Sequence, residues 1–264
     1  EPKGGTMKSI ISILFLVMTV FSFDVSAEGT WSRFVDGNHI EDMAAQGNYL
    51  WCATGGGLVK WNLNDMSYMI YNSDNGAPFV KASRVEVDSN GIVWVWGNNG
   101  LSRYDDSGWM HFPFSNNISV LSMAIRENGV LLLGGYSGLY SFNGSRLECI
   151  STGTPLQGLG FPAVVTGPNN EIWAATSAGA AHFDGTKWIS FRQDEGYPVP
   201  TYDVESVAIA SDGAVWFVQK DLKIIRYHDG SWRTFSKSDG VDGAISLSAA
   251  PDASIWAACG KNGL

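Results

Sequence analysis

The chain has 264 residues, of which 45% are hydrophobic, 16% are charged and 11 are tryptophan. A composition so rich in core residues excludes a disordered chain. The formal net charge is −9 and no basic cluster occurs along the sequence, which argues against binding to the phosphate backbone of nucleic acids.

The N-terminal part has the features of an export signal. Met7 and Lys8 precede an apolar stretch over residues 10–23, and a small-residue cleavage site ends at Ala27. The apolar stretch is too short for a membrane span, which needs about 20 residues. No second apolar run follows, so no span is expected in this sequence. We therefore expect residues 1–6 to precede the natural start, residues 7–27 to be a signal peptide, and the mature protein to be exported to the periplasm or cell surface.

A short phrase recurs along the rest of the chain at intervals of 38 to 43 residues. It consists of a turn with Asp, Asn or Gly, a pair such as Ile-Trp, a Gly-Leu step and an aromatic residue. A period of about 40 residues in an all-β pattern is typical of propeller blades. We predict an all-β fold, a β-propeller over residues 28–264 with at least six repeats. The six anchor residues are Trp51, Trp94, Leu132, Trp173, Trp216 and Trp256.

Residues 118–150 illustrate one repeat. Four strands are predicted, separated by a turn, a loop and an Asn143-Gly144 hairpin. The second strand is a continuous apolar run, as expected for a strand buried on both faces. Each blade should therefore be a four-stranded antiparallel sheet. The predicted strands cover residues 118–125, 130–133, 139–142 and 146–150.

The last repeat has only two predicted strands, over 244–249 and 254–259, and the sequence stops at Gly263-Leu264 where a third would begin. We expect an incomplete last blade, a sequence truncated at its C-terminus, and six as a minimum number of blades. Trp31 and Phe34 resemble an outer strand without a blade in front of it. Such a strand often completes the last blade of a closed propeller and removes an exposed edge.

The three cysteines are Cys52, Cys149 and Cys259. We interpret them as small buried hydrophobic residues. An odd number gives no disulfide framework, and pairing of Cys52 with Cys259 is left open because export would permit it.

The phrase from Asp88 to Asp105 resembles the two-component regulator propeller repeat, and residues 48–62 and 167–185 are similar to it. The resemblance implies an exported sensor propeller, commonly one that senses oligosaccharides. In that family the propellers often precede a linking β-domain, a membrane span and a histidine kinase. None of these is in this sequence, so a kinase is expected only downstream in a full-length protein. The repeat at 211–227 looks more like that of streptogramin-lyase-type propellers.

No catalytic or metal-binding motif is found. The four histidines do not pair at metal-ligand spacing, and no His-Glu-x-x-His or Cys-x-x-Cys occurs. Gly-x-Ser-x-Gly is also absent. We expect no catalytic residue, metal or cofactor, and we interpret the histidines as exposed residues at strand edges: His39, His111, His182 and His228.

The remaining candidate site is a propeller face formed by loops. The connections between blades, together with the loops after each anchor, should crowd around the channel on one face. Their aromatic and amide groups suit a polar, ring-shaped ligand such as a sugar. The connections are 72–81, 113–117, 151–161, 192–202 and 236–243, and the candidate residues are Phe79, Lys81, Asn98, Asn99, Tyr136, Phe161, Tyr197, Tyr202, Lys220 and Lys261.

Three functions follow from these observations. The first is a non-enzymatic periplasmic sensor that binds a small polar ligand or an oligosaccharide. The second is a secreted or cell-surface propeller that binds a protein partner. The third is a lyase of the streptogramin-inactivating type, which needs His and Glu at the channel mouth with a metal. Glu195 or Glu205 with His182 or His228 could be nominated for it, although their spacing does not favour them.

Overall fold

The computed structural model describes residues 39–105, 107–114, 118–200, 204–219, 223–241 and 243–259. Its regular structure consists of β-strands and short 3-10 turns. The chain divides into two compact units. Of the described residues, one unit contains those from 39 to Val85 together with Val93–Pro113, and the other contains Glu86–Ile92 and those from Phe114 onward.

The first unit is built from two sheets, and in each of them the strands are hydrogen-bonded to one another in chain order. The first sheet consists of β1 (Ile40–Gln46), β2 (Tyr49–Thr54), β3 (Gly57–Asn62) and β4 (Tyr68–Tyr71). The second consists of β5 (Ala82–Val87), whose last residues fall in the other unit, β6 (Val93–Gly97), β7 (Gly100–Asp105) and β8 (Gly108–Phe112).

The second unit continues the same pattern through three four-stranded sheets and a pair of strands. The third sheet has β9 (Val120–Ile125), β10 (Leu131–Gly135), β11 (Gly138–Phe142) and β12 (Leu147–Cys149). The fourth has β13 (Ala163–Thr166), β14 (Ile172–Thr176), β15 (Gly179–Phe183) and β16 (Trp188–Phe191). The fifth has β17 (Val204–Ile209), β18 (Val215–Gln219), β19 (Lys223–His228) and β20 (Ser231–Phe235), and the sixth pairs β21 (Ala244–Ala249) with β22 (Ile255–Cys259).

The prediction of four-stranded antiparallel blades is therefore confirmed. The strands of residues 118–150 lie where the repeat placed them, within two residues at each end. In the sixth sheet the described residues contain two strands. The signal peptide, the strand predicted at Trp31 and Phe34, and residues 260–264 lie outside the described residues.

In each of the five four-stranded sheets, the second strand is the most buried element. Every residue of β6, β10 and β14 is buried, which explains why these segments are continuous apolar runs instead of alternating ones. The anchors Trp51, Leu132 and Trp173 are each at most 2% exposed. The Trp phrase is therefore a packing device that fixes the middle of each blade.

The glycine of the Gly-Leu step is required by close backbone approach. Gly57 and Gly179 open the third strand of their sheets with φ of +121° and +123°. A Cβ atom at either position would lie 2.3 Å from a carbonyl oxygen, that of Tyr71 or Phe191 respectively. Only glycine combines this backbone conformation with that contact.

Neighbouring sheets of the second unit pack through their first strands. β9 lies against β13, β13 against β17, and β17 against β21. Between the fourth and fifth sheets, the buried core contains Trp173, Phe191 and Phe217. In the first unit, Trp51, Tyr71, Tyr104 and Trp109 form the corresponding aromatic cluster, with ring centroids 4.9 to 5.9 Å apart. These tilted and edge-on ring contacts stabilise the fold beyond what the buried area of the rings contributes.

The three cysteines are free. Cys52 is buried as expected, and desolvation raises the pKa of its thiol to about 12, so it is unreactive at neutral pH. Cys149 and Cys259 are half-buried, which corrects the expectation of full burial at these two positions. Within the described residues, no helix has the length and apolar character needed to cross a bilayer.

Candidate ligand-binding face

Each blade has two ends, and the candidate residues that the structure describes belong to one of them. At one end of each blade the first strand begins and the second strand turns into the third. We call this the entry end. In the first unit, Asn98 donates its backbone N–H to Lys81 O over 3.2 Å. In the second unit, Phe161 N–H donates to Gly135 O over 2.8 Å. Within each unit, an interblade connection and a loop after an anchor strand thus meet at this end.

The amides of Asn98 and Asn99 are used to build this end. Asn98 Oδ1 accepts from the N–H groups of Val80 and Lys81, at 2.9 and 3.0 Å. Asn98 Nδ2 donates to Asn99 Oδ1, and Asn99 Nδ2 donates to Pro78 O over 3.0 Å. Both side chains are exposed, but these bonds already hold the loop that carries Lys81. They position the loop, and Lys81 itself is exposed beside them.

Phe79 and Phe161 are core residues, which corrects the expectation that they face a ligand. Phe79 is 1% exposed and packs edge-on against Trp109, with centroids 5.1 Å apart. Phe161 is fully buried among Leu132, Leu139 and Val164. Both are aromatic because the connections between blades must cover the core before the next first strand begins.

Two of the tyrosines differ sharply in exposure. Tyr136 is 70% exposed in the loop between β10 and β11. Tyr197 is half-buried and packs edge-on against Phe191, with centroids 5.0 Å apart. The Tyr136 ring is therefore open to solvent, whereas most of the Tyr197 ring serves packing. Tyr202, Lys220 and Lys261 lie outside the described residues.

His182 is not the exposed strand-edge residue that the sequence suggested. Its side chain is 15% exposed and lies flat on the indole of Trp173. His182 Nε2 lies 2.5 Å from Glu171 Oε1. The same carboxylate oxygen accepts from Trp173 Nε1 over 2.8 Å. His182 was missed because its environment depends on Glu171, which precedes the second strand.

The lyase nomination gains no support from the placement of its residues. His182 contacts Glu171, and both Glu195 and Glu205 are exposed. His228 Nε2 lies 3.2 Å from Asp212 O. Across the described part of the chain, no three His, Cys, Asp or Glu residues are grouped so that they could hold a metal ion.

A cavity of about 520 Å³ lies at the opposite end of the blades, in the second unit. We call this the turn end, because the first strand of each blade turns there into the second. The sequence did not predict this site, since its residues belong to ordinary strand ends and turns. Its walls are Val87, Asp88, Ser89, Ile125, Arg126, Glu127, Thr166, Gly167, Pro168 and Ile209.

No protein-family model matches the sequence, and no curated protein matches it. Solved structures do resemble the fold. Virginiamycin B lyase from Staphylococcus aureus is 16% identical with a TM-score of 0.67, over 83% of this chain and 76% of the lyase. The fold is a β-propeller. Because the identity is low, this likeness extends to the fold alone.

Two further structures share this propeller fold. The extracellular domain of a hybrid two-component system from B. thetaiotaomicron is 14% identical with a TM-score of 0.51, over 88% of this chain. The present chain spans only 40% of that domain. YCF48 bound to D1 peptide is 16% identical with a TM-score of 0.60, over 81% of this chain and 72% of YCF48. The β-propeller fold that the two-component regulator propeller repeat implies is thus confirmed for this chain. Extracellular domains of two-component systems share that fold.

Proposed function

We propose that this chain is the exported, non-enzymatic ligand-binding propeller of a two-component signalling protein. The observation that carries the proposal is the repeat phrase from Asp88 to Asp105, which resembles the two-component regulator propeller repeat and folds as β6 and β7 of a blade. The fold likeness to extracellular domains of hybrid two-component systems supports it. A membrane-anchored kinase then follows in the full-length protein, and the propeller lies in the periplasm or at the cell surface.

The ligand in this proposal is an oligosaccharide or another polar molecule that binds at the entry end. In the second unit Tyr136 offers an exposed aromatic ring, and in the first unit Lys81 offers an exposed charge, each at the entry end of its own blade. An aromatic face contacts the apolar face of a sugar ring, and neighbouring polar groups bind its hydroxyls. The half-buried Tyr197 belongs to the same end of the blades in the second unit, and the loop amides Asn98 and Asn99 belong to it in the first unit.

Thermal unfolding of the full chain with a panel of neutral and acidic oligosaccharides tests the proposal. A ligand that binds only the folded state raises Tm, with about 2.7 kcal/mol of stabilisation at 100 times Kd. We expect at least one glycan to raise Tm in proportion to the logarithm of its concentration. If no glycan shifts Tm, the sensor of sugars is rejected and a protein ligand becomes the better account.

A protein-interaction propeller is the second candidate, because YCF48 has the same fold and binds a peptide. A streptogramin lyase is the third, because virginiamycin B lyase also shares the fold. Turnover of virginiamycin B that stops on metal chelation would establish the third candidate. Its absence with active lyase as a control would reject it.

A further inference from the structure

The cavity at the turn end is built from equivalent positions of successive blades. Val87, Ile125, Thr166 and Ile209 are the last residues of β5, β9, β13 and β17, and all four line it. Three of them are apolar, and Pro168 extends the apolar wall. Thr166 Oγ1 donates to Ile125 O over 2.8 Å, which ties two of these strand ends together. The volume of about 520 Å³ lies within the range typical of small-molecule sites, about 300–1,000 Å³.

Gly167, on the wall of the cavity, lets the side chains of Glu171 and Ile209 come close to its backbone. A Cβ atom there would lie 2.8 Å from Glu171 Oε2 and 3.4 Å from Ile209 Cδ1. In the third blade the position equivalent to Gly167 is Arg126, and in the second blade it is Asp88. The cavity therefore has an apolar side and a charged side.

Arg126 provides the positive charge of this cavity. Its Nη2 donates to Asn170 O over 3.0 Å, and its guanidinium carbon lies 5.5 Å from the centre of the Phe183 ring. Its Nε is buried without a partner. Among the described residues no carboxylate lies within ion-pair distance of Arg126, whereas Arg103 contacts Asp105 at 2.7 Å. Burial lowers the pKa of Arg126, as expected for a cation without a counter-charge.

An anionic group would complete this arrangement. A guanidinium has five N–H donors and binds a carboxylate through two parallel hydrogen bonds. Asn170 and Phe183 fix the Arg126 side chain in place, so little side-chain entropy remains to be lost on binding. The partly desolvated charge gains more from a counter-ion than an exposed one does.

A simple anion would nevertheless meet negative charge on the same wall. Glu127 is exposed at the cavity, and Asp88 lines it while accepting the N–H groups of Asn90 and Ile92 at 2.9 and 3.0 Å. Two carboxylates beside one guanidinium favour a ligand that carries both signs. An ammonium group would face Glu127 and Asp88, and an apolar side chain would lie along Ile125, Pro168 and Ile209.

We propose that the turn end of the second unit binds a small zwitterion, a free amino acid or dipeptide with an apolar side chain, whose carboxylate contacts Arg126. This site goes beyond the proposed sensor function, because it lies at the other end of the blades from Tyr136 of the same unit and takes a different class of ligand. The two sites are therefore independent.

Calorimetric titration of the full chain with L-leucine and leucyl-leucine tests the site directly. We expect one or both to bind. The one that binds more tightly shows whether the site takes an amino acid or a dipeptide. Leucinamide, which lacks the carboxylate, should bind at least about tenfold more weakly, and N-acetyl-leucine should also lose affinity. These ligand comparisons need no altered protein. Absence of binding by both zwitterions, or equal binding of leucinamide, would overturn the proposal.

Three substitutions test whether the ligand contacts Arg126. Arg126→Gln should weaken binding at least about tenfold, while Arg146→Gln, which alters an exposed arginine paired with Glu148, should leave it unchanged. Circular dichroism checks that Arg126→Gln is folded. Glu127→Gln alters a second, exposed residue of the cavity, and there the affinity should fall less. Unchanged affinity in folded Arg126→Gln would place the ligand elsewhere. The oligosaccharide test can fail or succeed without changing this result.

Discussion

The imidazole of His182 lies parallel to the indole of Trp173, with ring centroids 4.0 Å apart and planes 8° apart. The two residues are direct cross-strand partners on β14 and β15. In other blades the same position opposite the anchor tryptophan holds a permanent cation, Lys60 opposite Trp51 and Arg226 opposite Trp216. A positive group over an indole face is attracted by the ring electrons.

The pairing changes where the anchor changes. Leu132 replaces tryptophan in the third blade, and the residue opposite it is Ser141. Lys60 Nζ lies 4.9 Å from the centre of the Trp51 ring, and Arg226 Cζ lies 5.5 Å from that of Trp216. The cation thus accompanies the indole within one chain, which indicates that the pair stabilises the blade.

His182→Ala should therefore lower the free energy of unfolding by about 1–2 kcal/mol, because it removes the stacking on Trp173 and the contact with Glu171. Ser141→Ala, opposite Leu132, should change it by less than about 0.5 kcal/mol. Urea unfolding of the two variants measures both values. Equal effects would mean that the stacked pair contributes nothing specific.

Asp42 makes the stability of the first unit depend on pH. Its Oδ2 accepts from Val85 N–H over 3.0 Å, and desolvation by burial raises its pKa despite the opposing influence of Val85 and Arg84. A pKa raised in the folded state favours the protonated form there. Stability is then greatest at acidic pH and falls as the pH rises from 3.8 through the folded pKa.

Asp42→Asn keeps an acceptor for Val85 and removes the buried charge, so it should be more stable than the natural chain at pH 7, and the difference should shrink toward pH 4. Asp42→Ala leaves the Val85 N–H without this acceptor and should cost about 1–3 kcal/mol. Urea unfolding at several pH values measures these differences. A difference that grows on acidification would contradict the assignment. Ser206 Oγ shows that a neutral acceptor suffices, since it accepts from Leu247 N–H over 3.0 Å.

The sequence predicted the blades well because each blade must satisfy the same local demands. A strand that is buried on both faces requires a continuous apolar run in the sequence. A turn with close backbone approach requires glycine, as at Gly57 and Gly179. Both features are visible without knowledge of the neighbours. The boundaries therefore agree to within two residues in the blade of residues 118–150.

The candidate site could be predicted only in part. Sequence placed interblade loops beside the loops after the anchors, but it could not separate buried Phe79 from exposed Tyr136, because both are aromatic loop residues. That difference arises from packing against Trp109, which lies 30 positions further along the chain. The cavity around Arg126 was invisible for the same reason, since its walls come from four separate repeats.

Gly179→Ala should be among the most destabilising single substitutions of the second unit. The new methyl would lie 2.3 Å from Phe191 O at a φ of +123°, so both strain and overlap oppose it. Gly196→Ala is the matched control, with φ of +91° and no atom within 4 Å of the new Cβ. We expect about 1–2 kcal/mol for Gly196→Ala and more than about 3 kcal/mol for Gly179→Ala. Equal losses in urea unfolding would show that the approach to Phe191 does not require glycine.

Tyr136→Ala should leave stability unchanged and reduce binding at the entry end. The ring is 70% exposed, so its removal should alter the free energy of unfolding by less than about 0.5 kcal/mol. If the ring is a platform for a sugar, its loss should weaken the binding of any glycan found in the thermal screen at least about tenfold, or about 1.4 kcal/mol. Met110→Ala, at a side chain 50% exposed on the outer strand β8, is the control and should not alter that affinity. Equal glycan affinities of Tyr136→Ala and the natural chain would remove Tyr136 from the proposed site, while leaving the fold and the cavity at Arg126 unaffected.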